Sequence, residues 1–127
     1  MDEPTFKDDK TLLYRQVHPS WMQNGRVTSQ VFKPTPKDDK YLSVYNGDLT
    51  TSVLAWGHYT KQLNHPSIGV LAVTVEECTA TGLSAKPEPK PFKEHAIIDY
   101  NTCASNSVVA NKAKQLRAFA IKRDWCH

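Results

Sequence analysis

The chain has 127 residues, of which 39% are hydrophobic and 23% charged, and a formal net charge of +3. That balance fits one domain with its own core and excludes wholesale disorder. No run of about 18 apolar residues is present, so nothing reads as a membrane span.

Residues 1–10 read as a solvated, loosely held tail and residues 11–127 as a single domain. Leu12 to Val17 reads as a strand, with Leu13, Arg15 and Val17 on one face and Leu12, Tyr14 and Gln16 on the other. His18-Pro19 ends it, because proline cannot join a ladder. Gln23-Asn24-Gly25 is a turn signal, and Val27 to Phe32 follows as a second short strand. The prolines and charges of 33–40 mark a loop. Tyr41 to Tyr45 is a third strand, closed by the Asn46-Gly47-Asp48 turn.

Thr50 to about Leu63 has helical spacing through Val53, Trp56, Tyr59 and Leu63, with Asp48, Thr50 or Thr51 as its cap and Gly57 as a weak point. Ile68 to Thr74 is the most apolar run and reads as a buried central strand. Thr74-Val75-Glu76-Glu77 has the form of a capping box opening a short helix that ends at Gly82. Ser84 to Pro91 reads as an extended connector and Ala96 to Tyr100 as a last strand. Ser105 to Arg123 is the best helix, with Val109, Ala113, Leu116 and Ala120 as its apolar stripe. Strands and helices do not alternate regularly. The expected fold is therefore α+β, a small mixed or antiparallel sheet with two main helices packed on it.

Cys78, Cys103 and Cys126 cannot all pair, and no CxxC spacing occurs. The first residues lack the basic start and apolar run of a signal peptide. Together these features predict a cytoplasmic protein with free thiols. Residues 101–127 hold five Lys or Arg against one acidic residue. That bias does not exclude nucleic acid, but it is no footprint on its own, and the basic helix lacks interleaved aromatics.

Three polar groups draw attention. Arg15 ends a strand beside His18, where a guanidinium can grip a phosphate or carboxylate. Arg26, Thr28, Ser29 and Gln30 crowd hydroxyls and an amide onto the next segment, with Ser43 on the one after. Glu94 and His95 precede the last strand, in position for acid–base work. Each also has a plainer reading: Arg15 paired with a carboxylate, His18 capping a turn, the hydroxyls facing water. His58 and His65 lie two helical turns apart without acidic or thiol neighbours, so no metal site is expected.

The stretch LLYRQVHPSWMQNGRVTSQVFKPTPKDDKYLSVYNGD, with GVLAVTVEEC and EHAIIDY, resembles small bacterial proteins of unassigned function. Tyr14-Arg15, a later hydroxyl-bearing strand and Glu94 are also similar to compact ADP-ribosyltransferase-like toxins. That second resemblance implies NAD as substrate and no metal. Arg15 would hold the phosphates, Ser29 or Ser43 the nicotinamide ribose, and Glu94 the oxocarbenium-like state. His18, Arg26, Thr28, Gln30 and His95 would bind substrate. Glu94 departs from the pattern by preceding its strand. The residues also allow a metal-independent ribonuclease built on His18, His58, His95 and Arg15, or a non-catalytic immunity or regulatory protein that binds a protein partner.

Overall fold

Two-residue alternation along five strands decides how this molecule is layered. The computed structural model describes residues 4–35 and 40–127. Its strands are β1 (Leu12–Gln16), β2 (Met22–Gln23), β3 (Arg26–Val27), β4 (Tyr41–Asn46), β5 (Val70–Thr74), β6 (Ser84–Pro87) and β7 (His95–Asp99). Its α-helices are α1 (Ser52–Gly57), α2 (Val75–Ala80) and α3 (Asn106–Arg123). The main sheet runs β5-β1-β4-β7-β6, and the β2–β3 hairpin forms a second, small sheet. Every neighbouring pair is antiparallel. This is an α+β arrangement.

Leu13 faces Val73, and Tyr14 faces both Ala72 and Tyr45. Side chains of successive residues leave a strand on opposite sides, so this register sorts the two faces. One face carries Leu13, Leu42, Val44, Leu71, Val73, Ala96 and Ile98 against Val109, Ala113, Leu116 and Ala120 of α3. The other carries Tyr14, Tyr45, Val70 and Ala72 against Ala55, with Trp56, Tyr59 and Phe92 packed beside them.

The helices follow their local signals. Ser105 Oγ accepts from Val108 N at the start of α3, and the expected stripe is the buried one. Thr74 and Glu77 complete a capping box on α2. Gly82 then takes a positive φ of 82°, which a residue without Cβ adopts freely. Arg123 donates to both carboxylate oxygens of Glu77 at 2.9 Å and to Ala72 O at 3.0 Å. One guanidinium thus ties α3 to α2 and to β5.

The structure departs from these expectations in five places. Val27 to Phe32 is not a strand: β3 stops at Val27, and Ser29–Phe32 forms a 3₁₀ turn. Val31 and Phe32 are adjacent and both fully buried, which a half-exposed strand does not allow. The Thr50–Leu63 helix is capped by Thr51 but widens into a π turn over His58–Gln62. Val53 and Leu54 are left exposed, and Ala55 is buried.

The apolar run at 68–74 lies at the sheet's edge and not at its centre, although Val70–Val73 are fully buried. The segment Trp125–His127 seals that edge: Cys126 N donates to Val70 O at 2.9 Å and Val70 N to His127 O at 3.3 Å. Ser84–Pro87 is an edge strand on β7. In the expected tail, Phe6 packs on the core and Asp9 O accepts from Glu76 N at 2.8 Å. Residues 1–3, and 36–39 of the expected loop, lie outside the described residues.

Candidate functional site

On the face away from α3, neighbouring strands set Tyr14, Tyr45 and His95 in one row, through the Tyr14–Tyr45 and Tyr45–His95 pairs. Two residues further along, the same alternation puts Gln16 of β1 and Ser43 of β4 on this face. Tyr59 of the widened turn, with Leu63 and His65 just after it, forms one wall, and Pro91 and Phe92 another. The cavity measures about 210 Å³. Its rim is aromatic: Phe92 lies 5.2 Å from Tyr45 and 5.4 Å from His95 between ring centroids. Tyr59 lies 5.0 Å from His65.

The polar groups in this cavity are few and placed. His95 Nδ1 is 3.0 Å from Glu88 O. A carbonyl only accepts, so Nδ1 carries the proton and donates it. In the neutral ring Nε2 is then the acceptor. Ser43 Oγ lies 3.2 Å from it and donates to it. A hydroxyl, a base and a group that fixes the base's tautomer thus stand in sequence. Gln16 is 4% exposed. Its Oε1 accepts from Ser67 Oγ at 2.7 Å, while its Nε2 is buried without a partner among the described residues. Burial holds the Tyr14 phenol above its ordinary range. Tyr45 is raised too, first by burial and then by the charges of Tyr59 and Glu94. Both therefore line the site as neutral hydroxyls. Tyr45 Oη is 2.8 Å from His58 Nδ1.

Of the residues expected to form a site, Ser43 and His95 are brought together here. Arg15 is not. It shares the α3 face with Leu13 and Val17, where its Nε donates to Val31 O at 2.8 Å and its Nη1 to Ser43 O at 2.9 Å. Its guanidinium also lies 5.0 Å over the Trp21 ring. Glu94 does not line the cavity; its carboxylate is 4.0 Å from Lys93. His18 caps the Pro19–Trp21 turn, accepting from Ser20 N at 3.0 Å. Ser29, Arg26 and Thr28 line a separate groove with Lys114 and Arg117. Gln30 lies in a third depression, beside Trp21 and Lys33. The common cleft expected for Arg15, Ser29, Ser43 and Glu94 is thus divided, because alternation sends the Arg15 and Ser43 side chains to opposite faces and the 3₁₀ turn carries Ser29 off the sheet.

Gln16, Tyr59, His65 and Phe92 were not expected at a site. Only Gln16 carried a local signal, as an amide on the more apolar face of a strand. Cys78 and Cys103 are buried, and burial pushes the Cys78 thiol up to about 12, so it is inert at neutral pH. Among the described residues no helix is long and apolar enough to cross a membrane. No family model, curated protein or solved structure matches this chain.

Proposed function

We propose that this protein binds a small planar ligand in the aromatic cavity and acts on it through Ser43 and His95. The observation that carries this reading is the Glu88 carbonyl–His95–Ser43 series, at 3.0 and 3.2 Å, opening on a cavity bordered by Gln16, whose buried Nε2 has no partner among the described residues. Nucleophile, base and orienting group in that order are the working parts of acyl transfer. Ser43 Oγ attacks the carbonyl carbon of an ester while His95 Nε2 takes its proton. The bond to the leaving oxygen breaks, and that oxygen takes the proton from His95. Water, activated by the same base, then releases the acyl group. The free N–H groups of Gln16 suit the ligand's carbonyl oxygen, and the aromatic rim suits a ring.

The volume limits the ligand. About 210 Å³ is below the roughly 300–1,000 Å³ of drug-sized sites, so it fits a ring with a short substituent. An NAD-dependent ADP-ribosyl transfer draws support from Ser43 and the aromatic rim alone. It needs the Arg15 guanidinium and the Glu94 carboxylate beside them; the first is held on the other face by Val31 O and the second does not line the cavity, which favours the acyl-transfer reading. The test is a fluorophosphonate probe followed by intact-mass analysis, with hydrolysis of aryl esters of short acids. Labelling at Ser43, lost in Ser43→Ala and slowed by His95→Gln, supports the proposal. Labelling or hydrolysis unchanged in Ser43→Ala overturns it, as does absence of both.

A further inference from the structure

The β2–β3 hairpin lies against α3 on the other side of the molecule, and between them runs a groove of about 780 Å³. It brings Arg26 of the hairpin beside Lys114 and Arg117 of the helix, with Gln23, Asn24, Thr28 and Ser29 among them. The hairpin exists because Asn24 and Gly25 take φ values of 53° and 76°, the left-handed pair that a two-residue turn requires. No carboxylate lines the groove, and none of these three cations has an ion-pair partner among the described residues. Arg117 Nε donates to Val27 O, which fixes the guanidinium and leaves its two terminal nitrogens for something else. Thr28 Oγ1 is buried and has no partner among the described residues.

A second depression continues from the first, sharing Arg26, Val27 and Arg117 and adding Ile121 and Trp125. Trp125 is 41% exposed, yet it is not loose. A Cβ added at Gly69 would come within 2.9 Å of its ring, so one side of the indole rests on a glycine. The exposed indole is thus a fixed aromatic surface beside three uncompensated cations. Such juxtaposition suits a phosphate joined to a nucleobase, in which arginine forks meet the phosphate oxygens and the base stacks.

We infer that this groove binds a phosphate–nucleoside unit, with its phosphates among Arg26, Lys114 and Arg117 and its base against Trp125. A mononucleotide and a single-stranded nucleic acid share that chemistry. The site is separate from the Ser43–His95 cavity, which opens on the opposite face of the sheet. Arg26 comes from a segment far from Lys114, Arg117 and Trp125, so no single stretch of sequence marks the groove.

The test is fluorescence anisotropy of the full chain with a labelled single-stranded uridine decamer at low salt, competed by uridine monophosphate or by inorganic phosphate. Binding is expected to weaken roughly 5- to 150-fold in Trp125→Ala. The slope of log affinity against log salt should fall by about 0.7 for each cation removed in Arg26→Ala, Lys114→Ala and Arg117→Ala. Arg26→Ala leaves Ser43-dependent hydrolysis unchanged. Competition by the mononucleotide at site-saturating concentration points to a nucleotide, and competition only by unlabelled decamer to a polymer; both support the inference. No binding of the decamer or the mononucleotide would overturn it. So would binding indifferent to Arg26→Ala and Lys114→Ala, or inorganic phosphate competing as well as the mononucleotide. Arg26 and Lys114 are exposed, so these variants test the groove even if Arg117→Ala fails to fold.

Discussion

On one side of the sheet, Leu13, Leu42, Leu71, Val73 and Ile98 meet the aliphatic stripe of α3 in an apolar layer. On the other, Tyr14, Tyr45 and His95 meet a short helix, a π turn and the Phe92 loop, with Gln16 orphaned beneath. The difference is one of shape. An 18-residue helix lays a continuous row of methyl groups over a twisted sheet. Six residues of α1 widened into a π turn cannot follow the sheet, so rings and loops span the space and a cavity remains. A π turn inside a helix is often found at a functional site. The closed face supplies the stability that allows the other to stay imperfectly packed.

The comparison breaks most visibly at Leu116, which is fully buried in the closed face. Leu116→Ala should lower unfolding free energy by about 2–5 kcal/mol, through lost transfer energy and the remaining cavity. Phe92→Ala, on the open face, should cost less than half as much despite the larger side chain, because Phe92 borders a cavity and is only partly buried. Urea denaturation of the two variants measures this. Equal losses would mean that both faces carry the fold alike.

The closed face was legible in the sequence, and the open one largely was not. The stripe Val109, Ala113, Leu116 and Ala120, the Thr74–Glu77 capping box and the alternation of β1 are patterns carried within one segment. The cavity is assembled from five segments. Ser43 and His95 were each visible as polar positions, but their hydrogen bond joins residues 52 positions apart. The role of Arg15 was hidden for a similar reason, since two carbonyls it bonds lie 16 and 28 positions away. The place of the 68–74 run at the edge could not be read either. A strand buried on both faces looks the same at an edge sealed by three residues as it does in the middle of a sheet.

That seal offers the next test. A Cβ at Gly69 would lie 2.7 Å from His127 O, a contact that backbone must move to relieve. Gly69→Ala should cost about 1–3 kcal/mol and raise amide exchange at Val70 and Cys126, and it should not alter exchange in β7. Protection at those two amides equal to the parent's would show that the segment Trp125–His127 does not hold the edge.

The Glu77–Arg123 pair joins the closed face to the same edge and gives stability a pH dependence. Burial alone would raise the Glu77 carboxyl, but hydrogen bonds from Arg123 and Thr74 outweigh it and hold it below the usual carboxylate range. A carboxyl depressed in the folded state stabilises above its unfolded value and loses that contribution as pH falls through the folded one. Glu77→Gln should therefore cost about 1–2 kcal/mol at pH 7, and the gap from the parent should close on acidification. A gap that is constant with pH would assign the loss to the cap alone.

The smallest effect is expected at Gln16, and it bears most directly on why the open face differs. Gln16 gives up one hydrogen bond, from Ser67 Oγ, when it is replaced by methionine. Ser67 Oγ is also within 2.9 Å of Gly69 O and keeps that acceptor. Against the loss stands relief of a buried Nε2 that has no partner, a group whose desolvation costs about 1–3 kcal/mol. Methionine fills nearly the same volume and satisfies an apolar wall. The two terms offset, so Gln16→Met should melt within about 1 kcal/mol of the parent while its ester hydrolysis falls with Ser43 still labelled by the probe. A residue kept for the fold would behave in reverse, losing about 2 kcal/mol or more while its turnover per folded molecule held. That outcome would make the orphaned amide part of the packing and take from the cavity the donor expected to meet a ligand.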